Sequence, residues 1–438
     1  TPFAQSIKAV EEINELVDAL REDNKVEAID AIGDTVVCLI NVCALLDVNL
    51  TGILRNSGGV ATGLTKTGAG TLQLSGINSY TGATTVTTGT LKAGSAQAFG
   101  LRSAVSISAG QTLDTSGFAQ TLGSLTGGGT LNLGTSNTLT IGADNTSPAA
   151  FSGPLVGAEL AGVSSNSIIK VGSGVLLLTG NNASTFYATR SGGFQVRGGT
   201  LQINADAALG AAPTAPVADN IVIDGGVFSV TTTTTLATNR GIAFGTVQPG
   251  VIDVSSGQTL TVPGTLTGST PLLKLSAGTL VLGGVNPLTG GVTVNAGTLQ
   301  ANGLAALNGQ TVTMGNGAAL MLKFDGDGGA AYLNGNGTGA PQTVDFGGFL
   351  AQGNATLTVD RLGTGALFTQ PLNKTVRMGS LGLASGSMLT VTNLNGYGVR
   401  FSGALDLGPS LGTTLSVGTA SPSDVVQGLT LSGVVSGG

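Results

Sequence analysis

Acidic side chains carry most of the chemistry open to this chain. Glu12 and Glu15, with Glu11 beside them, stand three residues apart in a stretch of helical periodicity. That spacing puts two carboxylates on one helix face, which suits a hard divalent cation, or equally a solvated acidic face. Cys38 and Cys43 are five apart, a spacing of neither a zinc knuckle nor a redox pair, and read as two buried, reduced thiols. Asp325 and Asp327 lie in DGDGG, an acidic glycine turn that could offer oxygens to Ca²⁺ or be a plain exposed loop. Asp345, Asp360 and Arg361 complete the acid and base candidates of a groove enzyme, such as a β-helical enzyme processing polysaccharides. The chain has no histidine, which removes Ser-His-Asp and Cys-His mechanisms.

Two kinds of element must position these residues. Before about residue 54, charge is dense and glycine rare; beyond it, glycine is frequent and charge thins out. Phe3, Ile7, Val10, Ile13, Leu16, Val17 and Leu20 recur at helical steps, and a second helix is expected from about Lys25 to Asp47. Residues 1–54 are thus expected to form a short α-helical hairpin, with Asn49 capping a truncated third helix in NLTGILR. A hairpin of this size buries little alone, so it is expected to oligomerise or meet further helix.

From Lys66 onward the apolar period is two. Short runs such as TLQL, TLNL, VLLL and TLVL are each closed by Gly, Asn, Asp or Ser. Blocks of one pattern begin at Lys66, Lys170 and Lys274, 104 residues apart (170 − 66 and 274 − 170), and a weaker block begins near Met378. Long-period self-similarity built from short strands predicts a solenoid over residues 55–438, with coils of roughly 20–25 residues. The 73 glycines fit its turns, where positive φ is needed.

The net charge of −6 and the lack of a basic patch exclude nucleic-acid binding as the expected role. No run of eighteen apolar residues predicts a membrane span. A start at Thr1 without a signal segment, and an abrupt end at GVVSGG, read as cuts in a longer protein.

The block at Lys66 resembles the autotransporter-associated β-strand repeat, or passenger-associated transport repeat. The pattern is carried by Lys66, Gly68, Gly70, Leu72, Leu74, Gly76, Asn78, Tyr80, Thr81, Gly82, Thr84, Val86, Gly89, Thr90 and Leu91. The block at Lys274 keeps Gly278, Leu280, Leu282, Gly283, Asn286, Thr289, Gly290, Val292, Gly297, Thr298 and Leu299, with Leu288 in the tyrosine place. The block at Lys170 departs most, through an insertion around Arg190. This resemblance implies a mainly β chain folded as a right-handed parallel β-helix. It further implies a secreted or surface-displayed passenger, structural or adhesive, held at the outer membrane by a barrel not visible in this sequence. Its partner would be a surface ligand, a glycan or protein of a host or neighbouring cell.

Residues 9–46 resemble part of a MazG-type all-α nucleoside-triphosphate pyrophosphohydrolase. That resemblance implies Mg²⁺ held by Glu12, Glu15 and Asp34, with Ala31 standing where the family has an acid. An enzyme fused to a β-helix, or two parts joined artificially, are the alternatives to a structural passenger. For the rod itself no cofactor and no catalysis are expected.

Overall fold

Alternation in TLQL, TLKA and TLNL sends every second side chain to one face of a strand, and that face becomes the interior. The computed structural model describes residues 47–56, 61–158, 166–307, 309–323, 346–362, 375–394, 397–408, 412–419 and 428–436. Among them there is no α-helix, only strands and two short 3-10 turns, Asp206–Leu209 and Leu304–Ala306. The chain divides into two units, residues 1–188 with 207–211, and residues 189–206 with 212–438.

In the first unit, one ladder runs through Val48–Leu50, Thr71–Leu74, Thr90–Ala93, Thr112–Asp114, Thr130–Thr135 and Leu155–Ala158. Each strand pairs in parallel with the strand one coil on. A second parallel ladder joins Leu64–Lys66, Thr84–Val86, Val105–Ile107 and Leu125–Gly127. A third joins Gln120–Leu122, Thr138–Ile141 and Ser167–Lys170. Strands that return to the same ladder after each coil, always parallel, make a β-helix. Leu72, Leu91, Leu113, Leu131 and Leu155 stack in register inside it, all fully buried.

The second unit is built the same way. Thr259–Val262, Thr279–Leu282, Thr298–Asn302, Ala318–Lys323, Ala355–Asp360, Met388–Asn393 and Thr414–Thr419 form one parallel ladder. Its inward row is Leu260, Leu280, Leu299, Leu320, Leu357 and Val391, again fully buried. Gly250–Val254, Leu272–Leu275, Val292–Val294, Val312–Met314 and Phe349–Ala351 belong to another.

One expectation is corrected here. NLTGILR does not form a third helix: Val48–Leu50 is a strand, with Val48 opposite Leu72 and Leu50 opposite Leu74. The Asn49 side chain accepts a hydrogen bond from Ser75 Oγ at 2.7 Å instead of capping a helix. Leu50, Ile53 and Leu54 mimic helical spacing, but Val48 and Leu50 alternate, and pairing with the neighbouring coil decides the outcome. The expected helices before residue 47 lie outside the described residues.

Candidate functional site

An asparagine and a lysine that recur with each repeat point inward. Asn78, Asn182 and Asn286 are each 104 residues apart (182 − 78 and 286 − 182) and each is buried. Each makes the same two side-chain bonds. Asn78 Oδ1 accepts the Leu54 N–H at 2.8 Å, and its Nδ2 donates to Ala98 O at 2.6 Å. Asn182 takes Leu155 N–H at 2.8 Å and gives to Ala208 O at 3.0 Å. Asn286 takes Leu266 N–H at 2.7 Å and gives to Ala306 O at 2.8 Å. A carboxamide has an acceptor and a donor at opposite sides, so one side chain can tie the coil before it to the coil after it. Each asparagine is therefore a staple through three consecutive coils.

The lysines that open each block do similar work at a corner. Lys66, Lys170 and Lys274 are inward residues of their strands and almost fully buried. Lys66 Nζ donates to Thr67 O at 3.0 Å, Gly68 O at 2.5 Å and, one coil on, Thr88 O at 2.9 Å. Lys274 Nζ repeats this with Leu275 O at 2.9 Å, Ser276 O at 2.6 Å and Ala296 O at 3.0 Å. Lys170 Nζ donates to Val171 O and Gly172 O at 2.6 and 3.1 Å. An ammonium has three donors and no acceptor, so a ring of corner carbonyls suits it. Met378, in the fourth block, is buried but carries no donor for such a ring.

These carbonyls replace water incompletely. Burial pushes Lys170 and Lys274 down to about 8, against the opposing pull of Asp144 and Asp253. Lys66 is lowered for the same reason, opposed by Asp47. An unfolded lysine titrates at roughly 10.4, so between about pH 8 and that value the unfolded chain holds more protons than the folded one. The contribution of Lys170 and Lys274 to stability therefore rises with pH through this window. The denaturant midpoint is expected to increase from about pH 8 to about pH 9.5, and to increase less in Lys274→Met. A midpoint that is flat or falls in wild type contradicts the shift.

A further buried cation lies in the second unit. Arg240 is fully buried, with Nε 2.9 Å from Asp206 Oδ1 and Nη1 donating to Asn220 Oδ1 at 2.6 Å. Asn220 Nδ2 in turn donates to Arg190 O at 2.8 Å, so the network holds the inserted segment that interrupts the second repeat. Arg240→Met is expected to cost about 3 kcal/mol, at the low end for a broken buried pair because Asp206 is 22% exposed and can rehydrate. Urea denaturation of the variant beside wild type checks this.

Of the residues singled out for chemistry, only Asp360 and Arg361 lie among the described residues. Glu12, Glu15, Asp34, Ala31, Cys38, Cys43, Asp325, Asp327 and Asp345 lie outside the described residues. Asp360 ends its strand, with Oδ2 3.8 Å from Lys323 Nζ, and its Oδ1 accepts the Arg361 N–H at 2.8 Å. Among the described residues no three His, Cys, Asp or Glu side chains are grouped as metal ligands. What sequence reasoning missed is the role of the asparagines. Their 104-residue spacing was available as a signal, but not their partners, which sit on other coils.

Comparison with known proteins agrees with this geometry. The passenger-associated-transport-repeat family matches residues 64–93, 168–203 and 272–301, the segments that carry the lysine and asparagine staples. The chain is 35% identical over 312 residues to the adhesin BmaC autotransporter of Brucella suis biovar 1 (strain 1330). That match covers 68% of this chain and 8% of the relative, so the chain corresponds to a small part of that protein's length. No solved structure matches the chain. The unit that returns every 104 residues is the family's own, and the chain is an autotransporter repeat protein built on passenger-associated-transport repeats.

Proposed function

We propose that this chain is an adhesive passenger segment displayed on the bacterial cell surface, in which a β-helical scaffold holds outward loops for a surface ligand. The observation that supports this reading best is the agreement of the three stapled repeats with the family match, beside the similarity to an autotransporter adhesin. The repeat's buried asparagines and lysines bond to the backbone, so recognition falls to loops and outward faces. No described helix is long and apolar enough to cross a membrane. Beads coated with the chain are expected to attach to host-cell or matrix surfaces in a saturable manner, with soluble chain competing. Attachment no greater than that of beads coated with an unrelated β-helix overturns the reading.

A further inference from the structure

Within the first unit, a groove of about 380 Å³ opens between two successive coils. Its lining is Ala96, Gln97, Leu101 and Arg102 from one coil and Ala119 and Thr121 from the next. The two walls are fixed against each other by Gln120, which is buried between Ala119 and Thr121. Gln120 Oε1 accepts the Ala98 N–H at 2.8 Å, and its Nε2 donates to Ser95 O at 2.8 Å. Behind the groove, the Leu101 N–H donates to Tyr80 O at 2.8 Å, and Gln97 O accepts the Asn78 N–H at 3.1 Å. The staple of the first repeat therefore supports the groove wall, and the site is formed before any ligand arrives.

We propose that this groove binds a carboxylate-bearing saccharide unit of the hexuronate class, a specific ligand for the adhesive role proposed above, on which the inference rests. Its volume fits one or two sugar rings, within the usual range of ligand pockets. Arg102 is an exposed guanidinium, and a planar fork of donors matches a carboxylate bidentately. Gln97 and Thr121, on opposite walls, offer an amide and a hydroxyl to ring hydroxyls. Leu101 is 43% exposed and, with Ala96 and Ala119, provides an apolar surface for the C–H face of a pyranose. A free acidic side chain of a peptide would satisfy Arg102 but leave the hydroxyl partners unused, which favours the sugar.

The test is a titration of the full chain with methyl β-D-glucuronide, followed by NMR at the Leu101 methyls and by calorimetry. Saturable binding is expected, weakened at least about tenfold for methyl β-D-glucoside and in Arg102→Gln, and unchanged in Arg197→Gln, an exposed arginine outside the groove lining. No saturable binding, or equal binding by Arg102→Gln, overturns the proposal. Equal binding of N-acetylaspartate overturns the saccharide assignment in favour of an acidic peptide. If coated beads still attach while glucuronide does not bind, this site is wrong and the adhesive reading survives. If beads fail to attach, that reading falls separately.

Discussion

Asn286→Ala is expected to destabilise its coils by about 3 kcal/mol. The substitution leaves two backbone groups without partners, the Leu266 N–H and the Ala306 carbonyl. Both residues are buried, at 0% and 1% exposure. A buried amide or carbonyl stripped of its bond costs about 1–3 kcal/mol, and two are stripped at once. Because stacked coils respond to neighbours more than to the whole, the loss is expected to concentrate between residues 260 and 310. Asn181→Ala, on an exposed neighbour of a staple, is expected to change stability by less than about 0.5 kcal/mol. Denaturant unfolding with residue-resolved hydrogen exchange measures both. Equal effects at Asn286 and Asn181 contradict the stapling role.

Gly153→Ala is expected to cost about 3 kcal/mol through a different mechanism. A Cβ placed on Gly153 runs into the carbonyl of Gly129 on the preceding coil. A Cβ on Gly180 meets the carbonyl of Gly153 in its turn. The obstacle is backbone, not the end of a flexible side chain, so relief requires two coils to separate. Separation lengthens the neighbouring bond from Ser152 N to Gly127 O, now 2.9 Å. Gly257→Ala makes a useful comparison, since that glycine has open space around it and pays only for its positive φ of 73°. Gly153→Ala losing no more than Gly257→Ala contradicts close approach at this corner.

Much of the scaffold was legible in the residues. Period-two runs such as TLQL and TLVL state which side chains go inward, and the returning lysines state that coils are built from duplicated blocks. The three lysines read as block markers, however, while their carbonyl rings depend on corners 22 residues further along, as with Lys66 and Thr88. The same limit hid the asparagines, since Asn78 bonds to residues 24 positions before and 20 after it. Side-chain types announce capacity for hydrogen bonds; only the coil register selects the partner. Arg240 and Asp206, 34 residues apart, were invisible for that reason. NLTGILR failed for the opposite reason, because its local spacing fits a helix and only the adjacent coil makes it a strand. Of the acids chosen for chemistry, Asp360 proved to be an outward strand end beside Lys323.

The central claim is that the repeat's recurring asparagines are interior staples. It is tested most directly by hydrogen exchange at the Leu54, Leu155 and Leu266 amides, each bonded to an asparagine side chain and not to a neighbouring strand. These three amides are expected to exchange as slowly as ladder amides such as those of Leu91 and Leu280, and the Leu266 amide to exchange at least about tenfold faster in Asn286→Ala alone. Exchange of all three at the rate of an exposed loop in wild type would contradict the account.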